Sequence, residues 1–190
     1  QGDKTLRKAE LTEQIITGGA QQESTEVKWV WKKLNEIKPK KILEIGTGCG
    51  AFTTLLALSG ADVNTVDHII NKVKWWEDKD VERGKITQFE GNSNDIKMAE
   101  RVNGLYDLVV IDADHTEKAG WKDWDLYSPM APIVMIHDTV QWELKRDNDW
   151  FPSKFAEGLH EVEGFKEKHG IKEFEEFKDC KNGGWVIVYK

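Results

Sequence analysis

A glycine-rich turn between a predicted strand and a predicted helix constrains this chain more than any other feature. Residues 41–45 form a short β-rich run, glycines follow at positions 46, 48 and 50, and residues 52–58 have helical periodicity. Glycine has no Cβ and tolerates positive φ angles, so such a turn lets the backbone approach a ligand closely. The pattern predicts a site for a nucleotide-like cofactor at the end of the first strand.

Strands and helices are predicted to alternate along most of the chain. Apolar or β-rich runs predict strands at 41–45, 62–66, 85–89, 106–111 and 133–136, and helical patterns occur at 24–37, 52–58, 69–76, 95–102 and 118–127. A helix predicted at 153–169 is followed by β-like runs at 171–177 and 185–189, which flank the turn sequence Lys181-Asn182-Gly183-Gly184. We therefore expect an α/β fold, with a doubly wound seven-stranded sheet that is mostly parallel and has an antiparallel C-terminal hairpin.

Length, charge and cysteine content limit the class of protein. A chain of 190 residues suits a single domain over 1–190, in which residues 1–23 are an N-terminal segment and Gln1-Gly2 is interpreted as the remnant of an expression tag. The net charge of -7 argues against nucleic acid as a partner. Two widely separated cysteines, Cys49 and Cys180, indicate a reducing compartment, and we expect a cytoplasmic protein. No apolar run approaches the roughly 20 residues that span a bilayer, so no membrane partner is expected.

An acidic residue at the end of the second predicted strand supports a nucleoside-containing cofactor. Asp67 lies about 20 residues beyond the glycine turn, where a carboxylate accepts hydrogen bonds from ribose hydroxyls. In the dinucleotide fingerprint the third glycine follows the second by three residues, whereas here Gly50 follows Gly48 by two, and Glu44 precedes the turn. These differences favour S-adenosylmethionine (SAM) over NAD.

Four segments together resemble the successive motifs of class I SAM-dependent methyltransferases. They are residues 42–50, Asp67, Gly91-Asn92-Ser93-Asn94-Asp95 and the run from Tyr106 to His115. Within that class the chain most resembles methyltransferase domain family 24, which is near the metal-dependent catechol and caffeoyl-CoA O-methyltransferases and the macrolide-sugar O-methyltransferases. The resemblance extends from about Gly19 onward and implies a Rossmann-like fold, SAM as cofactor and a small-molecule methyl acceptor.

The resemblance also implies which residues bind the cofactor. Glu44 and the turn residues Gly46, Thr47, Gly48 and Gly50 would lie by the methionine part of SAM, and Gln22 would reach the methionine carboxylate. Asp112 is also expected to bind the cofactor. Asp67 would bind the ribose, the neighbouring His68 would touch the adenosine, and Asn92 and Ser93 would lie beside the adenine. The alternative for Asn92 and Ser93 is a polar loop that only caps the following helix.

Acidic and imidazole side chains follow two neighbouring predicted strands. Asp112, Asp114 and His115 end one strand, and His137 and Asp138 end the next, so all should meet at one sheet edge. Such a cluster of carboxylates is costly unless a cation or a shared proton compensates its charge. In the metal-dependent relatives the ligand positions correspond to Asp112, His137 and Asp138, which implies a divalent metal such as magnesium or manganese. The sequence departs from those relatives in having His at 137 where an acid is usual, and the alternative is that His137 packs at the sheet edge without metal.

His115 is the predicted general base, and Asp112 is predicted to share the catalytic site with it. By the same resemblance His115 stands where the macrolide-sugar enzymes carry a base, and an imidazole suits deprotonation of a hydroxyl near neutral pH. Alternatively, His115 only caps the helix that begins beyond it. The expected activity is SAM-dependent O-methylation of a sugar or phenolic hydroxyl, with homodimerisation as a further expectation. An NAD-dependent oxidoreductase and a non-catalytic SAM-binding protein remain alternatives.

Overall fold

The computed structural model describes residues 2–69, 83–139, 150–181 and 183–190 of the chain. The α-helices in these ranges are α1 (Gly2–Gln14), α2 (Ser24–Ile37), α3 (Ala51–Leu58), α4 (Ile96–Arg101), α5 (Glu117–Tyr127), α6 (Phe151–Glu161) and α7 (Phe165–His169). The strands are β1 (Lys41–Ile45), β2 (Asp62–Asp67), β3 (Ile86–Glu90), β4 (Leu108–Ile111), β5 (Ile133–His137), β6 (Glu173–Phe177) and β7 (Trp185–Tyr189).

The strands form one seven-stranded sheet in the order β3-β2-β1-β4-β5-β7-β6. β1 to β5 pair in parallel, whereas β7 lies between β5 and β6 and is antiparallel to both. This confirms the predicted doubly wound, mostly parallel sheet with an antiparallel C-terminal hairpin. The strand order reverses beside β1, so the crevice for a ligand is expected at the carboxyl ends of β1 and β4.

Helices cover both faces of the sheet because its central strands are apolar on both sides. In β1, Leu43 and Ile45 belong to a buried cluster with side chains of α4, α5, α6 and α7. Ile42 points to the opposite face and packs with side chains of α1, α2 and α3. Every residue of β4 is likewise buried. A continuous apolar run in the sequence therefore corresponds here to a strand enclosed on two faces.

The predicted helix at residues 24–37 is α2, with the same bounds. Val27, Val30 and Leu34 form its buried stripe. Lys38 then takes a left-handed conformation with φ 52, and Pro39, which cannot donate a backbone hydrogen bond, follows it. Local sequence thus fixes both the buried face and the end of this helix.

The prediction of one helix over residues 153–169 is wrong. The structure has two helices, α6 and α7, separated by residues 162–164. Gly164 has φ 75, a conformation that other residues rarely adopt, and it redirects the chain between the two helices. The charged run on both sides of this glycine hid the break. The helix predicted at 69–76 falls mostly in residues 70–82, outside the described residues.

The N-terminal segment contributes to the core. Leu11 in α1 and Ile15 just after it are buried, and they belong to the same cluster as Leu55 of α3. This segment therefore packs on the α3 side of the sheet. None of the described helices is long and apolar enough to cross a membrane.

Candidate functional site

Two adjoining cavities open at the carboxyl ends of β1 and β4. The first has a volume of about 360 Å³ and the second about 440 Å³, and Gly46, Gly48, Asp112 and Ala113 line both. The other predicted site residues in the first cavity are Gln22, Thr47, His115, His137 and Asp138. Those in the second are Asp67, His68, Asn92 and Ser93. Nearly all of the predicted site residues are therefore brought to one edge of the sheet.

The glycine turn allows two strand ends to approach each other. Gly46 has φ 102, and a Cβ at this position would overlap the backbone carbonyl of Asp112 at the end of β4. Gly50 has φ 75 and immediately precedes α3. Both positions need glycine, one for space and one for conformation. The turn thereby forms part of the wall between the two cavities.

Asp67 binds the glycine turn through its side chain. Its Oδ2 accepts hydrogen bonds from the backbone N–H groups of Thr47, at 3.0 Å, and Gly48, at 2.9 Å. These contacts hold the end of β2 against the turn and leave Asp67 at the surface of the second cavity. The carboxylate is thus fixed where a ribose was predicted.

Glu44 lies beneath the turn and is not among the residues that line either cavity. Its side chain is buried, and its Oε2 accepts a hydrogen bond from the Thr53 hydroxyl at 2.6 Å. Burial raises the pKa of Glu44 to about 8, which outweighs the lowering by hydrogen bonds from Thr53 and Thr65. The cavity lining therefore gives no support to its predicted contact with the methionine part of SAM.

The loop after β3 lines part of the second cavity. Its residues Asn92 and Ser93 do not cap the helix that follows. The cap of α4 is Asp95, whose side chain accepts from the backbone N–H of Lys97 at 3.0 Å. Asn92 Oδ1 instead accepts from the backbone N–H of Asn94, and the carbonyl of Ser93 accepts from the Tyr127 hydroxyl. Asn92 and Ser93 therefore do not cap α4 through their own side chains, and their predicted place beside the adenine stays a prediction.

Five side chains at the first cavity alternate between carboxylate and imidazole, and we call them the carboxylate–imidazole chain. His137 faces Glu26 with Nε2 and Asp112 with Nδ1, at 3.1 Å in each case. His115 faces Asp112 with Nε2 at 3.3 Å and Asp138 with Nδ1 at 2.9 Å. Each imidazole thus lies between two carboxylates, and Asp138 Oδ1 is also 3.5 Å from His137 Nδ1.

The central pair of this chain is charged. Burial alone would lower the pKa of His137, but the charge of Asp112 and the hydrogen bonds to Asp112 and Glu26 raise it well above its ordinary value. Burial would raise the pKa of Asp112, yet His137 and His115 hold it below its ordinary value. His137 is therefore an imidazolium next to an ionised Asp112 at neutral pH.

Glu26 is the site residue that sequence reasoning missed. It is 1% exposed, and its Oε1 also accepts from the backbone N–H of Gly184 at 2.6 Å. Oε2 accepts from the backbone N–H of Glu23 at 2.9 Å, which closes the first turn of α2. The available signal was an acidic residue next to Val27 on the apolar stripe of a predicted helix. Such a residue needs a buried partner.

Gln22 and Asp114 have different surroundings. Gln22 Nε2 donates to Asp112 Oδ2 at 2.8 Å, so Gln22 joins the N-terminal segment to the first cavity. Asp114 is not part of the carboxylate–imidazole chain. Its Oδ1 accepts from the backbone N–H of Thr116 at the start of α5, so Asp114, rather than the His115 side chain, binds this helix end.

The geometry groups Asp112, His115 and Asp138 as the set able to hold a metal ion. One ligand atom from each lies within 4.8 Å of the others. His137, which was predicted as a ligand, is not in this set, and its ring nitrogens face Asp112 and Glu26. The set with His115 offers one nitrogen and two oxygens, which suits manganese, iron or zinc better than a site made only of oxygens would.

Aromatic side chains form part of the surroundings of His115. Trp150 packs edge-on against the His115 ring, with ring centroids 5.0 Å apart. Trp121 packs against Phe151 and His169 instead. Trp150 therefore lies beside the His115 imidazole.

Comparison with known protein families gives a match to the part of the sequence that contains the glycine turn. Residues 21–114, just under half of the chain, match the family described as "Tellurite resistance protein TehB", a SAM methyltransferase family. The match includes the glycine turn and Asp67 and stops before His115. The sequence has no significant match among curated proteins.

Solved structures of methyltransferases share the fold at low sequence identity. MycE from the mycinamycin biosynthetic pathway, in complex with Mg and SAH (S-adenosylhomocysteine), has 14% identity and a TM-score of 0.65, covering 96% of this chain and 55% of MycE. An O-methyltransferase from Bacillus cereus in complex with SAH has 14% identity and a TM-score of 0.59, covering 95% and 91%. TomG from Streptomyces achromogenes, in complex with SAM, has 14% identity and a TM-score of 0.59, covering 96% and 87%.

These comparisons confirm the predicted resemblance to class I SAM-dependent methyltransferases. This chain spans about half the length of MycE. The narrower assignment to methyltransferase domain family 24 stays a prediction, because the matching family is that of TehB.

Replacing Glu44 by Gln should flatten the pH dependence of stability. The carboxyl has a pKa of about 8 when folded against an ordinary 4.5, so folding favours its protonated form. Its contribution is fully present below pH 4.5 and is lost as the pH rises through 8. Between pH 5 and pH 9 the variant should gain roughly 2–4 kcal/mol relative to the wild type. Urea unfolding at both pH values measures this, and a constant difference would contradict it. The exposed substitution Glu90→Gln is the control.

Replacing Glu26 by Gln should lower the free energy of unfolding by roughly 3 kcal/mol at pH 7. The amide keeps the size of the side chain and can still accept from Gly184, but it leaves the buried His137 imidazolium without the only carboxylate that faces its Nε2 among the described residues. Denaturant unfolding measures the loss. The neighbouring exposed substitution Thr25→Ala is the matched control, and equal stabilities of the two variants would disprove the role of the ion pair.

Proposed function

We propose that this chain, which has the fold of class I SAM-dependent methyltransferases, transfers the methyl group of SAM to a hydroxyl of a small molecule. The observation that carries the proposal is the pair of adjoining cavities. One has a carboxylate suited to ribose, Asp67, and the other has an imidazole, His115, between two acids. SAM would lie across the shared wall with its sulfonium directed at the first cavity.

The cofactor would be held by residues from several strand ends. Asp67 would bind the ribose hydroxyls, with His68, Asn92 and Ser93 at the adenosine, since all of them line the second cavity. Gln22, Asp112 and the turn residues Gly46, Thr47 and Gly48 would surround the methionine part, with Gly50 ending the turn. Glu44 would act from beneath the turn by supporting Thr53 of α3.

His115 would accept the proton of the acceptor hydroxyl. The acceptor oxygen attacks the methyl carbon of SAM in line with the breaking carbon–sulfur bond, SAH leaves, and the hydroxyl proton passes to His115. Asp138, at 2.9 Å from Nδ1, fixes the orientation of the ring, and Asp112 faces the other nitrogen at 3.3 Å. A general base of this kind contributes roughly 10²–10⁴-fold to the rate.

A divalent cation is the second way in which this site could lower the cost of an acceptor alkoxide. Asp112, His115 and Asp138 would hold it, because their ligand atoms are close enough together. A magnesium or manganese ion would supply Lewis acidity to the acceptor oxygen. His115 then serves as ligand rather than base, so the two roles predict different responses to metal removal.

The alternatives are less well supported. An NAD-dependent oxidoreductase does not fit the glycine spacing or the position of β7, which is antiparallel between β5 and β6. A non-catalytic SAM-binding protein is expected to have a blocked acceptor site, whereas the first cavity is open beside His115. The proposed acceptor is a sugar or a phenol beside His115, and a second subunit that encloses the acceptor remains part of the proposal.

Calorimetric titration should detect binding of SAH and none of NAD. Asp67→Ala should weaken SAH binding at least tenfold, since it removes a charged acceptor of ribose hydrogen bonds. Replacing Asp107, whose carboxylate binds backbone N–H groups at the opposite end of β1, by Asn is the control for a merely structural effect. Binding of NAD without SAH would refute the proposed function.

His115→Ala should reduce methyl transfer to a panel of sugars and catechols by roughly 10²–10⁴-fold while SAH affinity stays near that of the wild type. Transfer is measured with radiolabelled SAM. His160→Ala, at an ion pair with Glu176 outside both cavities, is the matched control. An unchanged rate of methyl transfer in the His115→Ala variant would exclude His115 as the general base.

The same assay separates the base from the metal. If the wild type loses activity with a chelator and regains it with manganese, a metal ion takes part, and the metal role of His115 requires that His115→Ala need more manganese for recovery. Activity that is independent of the chelator assigns His115 as the base.

A further inference from the structure

Helix α5 holds the loop after β3 through one stripe of residues. Ala119, Asp123 and Tyr127 are spaced four apart and therefore lie on one face of the helix. The Tyr127 hydroxyl donates to the carbonyl of Ser93 at 2.6 Å. Asn94 Nδ2 donates to the carbonyl of Ala119 at 3.2 Å and to Asp123 Oδ1 at 2.7 Å. Two consecutive loop residues are thus fixed by three consecutive turns of α5.

The burial of the Asp123 side chain beside Asn94 is energetically unfavourable. The side chain is 0% exposed, and its Oδ2 has no hydrogen-bond partner among the described residues. Burial raises the pKa of Asp123 to about 6, and Asp114 acts in the same direction, against the lowering by Ser93, Asn94 and Lys122. An acid is unfavourable here for packing alone, and the neutral Tyr127 already ties the loop to the helix. This suggests that Asp123 has a specific effect on Asn94.

That effect is the orientation of the Asn94 amide. Both partners on α5 are acceptors, so only the NH₂ group can face them, and its two hydrogens are both used. The remaining hydrogen-bonding atom of the side chain is Oδ1, an acceptor. Asn94 also lines the second cavity, together with Asp67 and His68. The amide is therefore available to a ligand in that cavity as an acceptor only.

We propose that Asp123 is a positioning residue that orients Asn94 to select a purine with an amino group at C6. The inference rests on the proposed function, in which the second cavity holds the adenosine end of SAM. The 6-amino group of adenine is a donor and matches Asn94 Oδ1. A 6-oxo purine presents an acceptor at the same place and would face an unpaired oxygen, which is unfavourable.

The test compares binding of SAH with that of S-inosylhomocysteine, which differs only by oxygen in place of the 6-amino group. Calorimetry on the wild type should show at least about tenfold preference for SAH. Asp123→Ala should lose most of this preference, because the Asn94 amide is then free to turn. Asp123→Asn should recover part of it, since the new amide oxygen can still accept from Asn94.

Tyr127→Phe is the matched control. It removes the neighbouring contact from α5 to the same loop and leaves the Asn94 contacts in place. A loosened loop should weaken binding of both ligands by a similar factor and leave their ratio unchanged. If Tyr127→Phe reduced the ratio as much as Asp123→Ala does, the loop as a whole, and not the orientation of Asn94, would determine the preference.

Asn94→Ala keeps the test decisive if Asp123→Ala does not fold, because Asn94 is partly exposed. It should abolish the preference, and retention of the wild-type ratio in this variant would overturn the inference. Equal binding of both ligands by the wild type would also overturn it, with the proposed function left standing. Failure of the folded wild type to bind either ligand would instead refute the proposed function, and the inference with it.

Discussion

The buried ion pair between Glu26 and His137 holds together parts of the chain that are distant in sequence. Glu26 belongs to α2, His137 ends β5, and the same carboxylate binds the backbone at Gly184, just before β7. A Cβ on Gly183 would overlap that carboxylate, so the turn before β7 is shaped around it. Burying two charges is costly, and the pair is tolerable because nearly every polar atom in it has a partner. The position of His137 in the lining of the first cavity depends on this arrangement.

The charge of His137 changes the electrostatic argument for a metal ion. From sequence, several carboxylates at one sheet edge called for a cation or a shared proton to compensate their charge. In the structure an imidazolium already lies between Glu26 and Asp112, so the site has its own positive charge. The charge still to be balanced lies in the outer part of the carboxylate–imidazole chain, at Asp112, His115 and Asp138. There a proton on His115 or a bound cation can balance the Asp138 carboxylate. A proton on His115 and a bound metal ion are thus two alternative ways to neutralise this remaining negative charge.

Features governed by local sequence were predictable. The strands, the α2 helix and the glycine turn each follow from periodicity or from glycine spacing, and strand ends brought Asp67, Asp112 and Asp138 to the correct edge. Features that depend on distant partners were not. Glu26 is separated from His137 by 111 residues, and no local pattern pairs them. The same applies to Asn94 and Asp123, which look like ordinary loop and helix residues until α5 is placed beside the loop. The break at Gly164 was missed because a helical charge pattern continues across it.

The position of β7 has a consequence for the order in which the molecule can be completed. β6 pairs with β7, and β7 in turn supplies the partner for the edge of β5. During synthesis β6 therefore emerges before it has a strand to join, and β5 keeps an open edge of unpaired backbone groups. The strands β1 to β4 can pair by then, whereas the backbone hydrogen bond from Gly184 to Glu26 cannot yet form. A nascent chain would thus present a nearly finished second cavity beside an unfinished first cavity, with an open strand edge at the place where His137 must be buried.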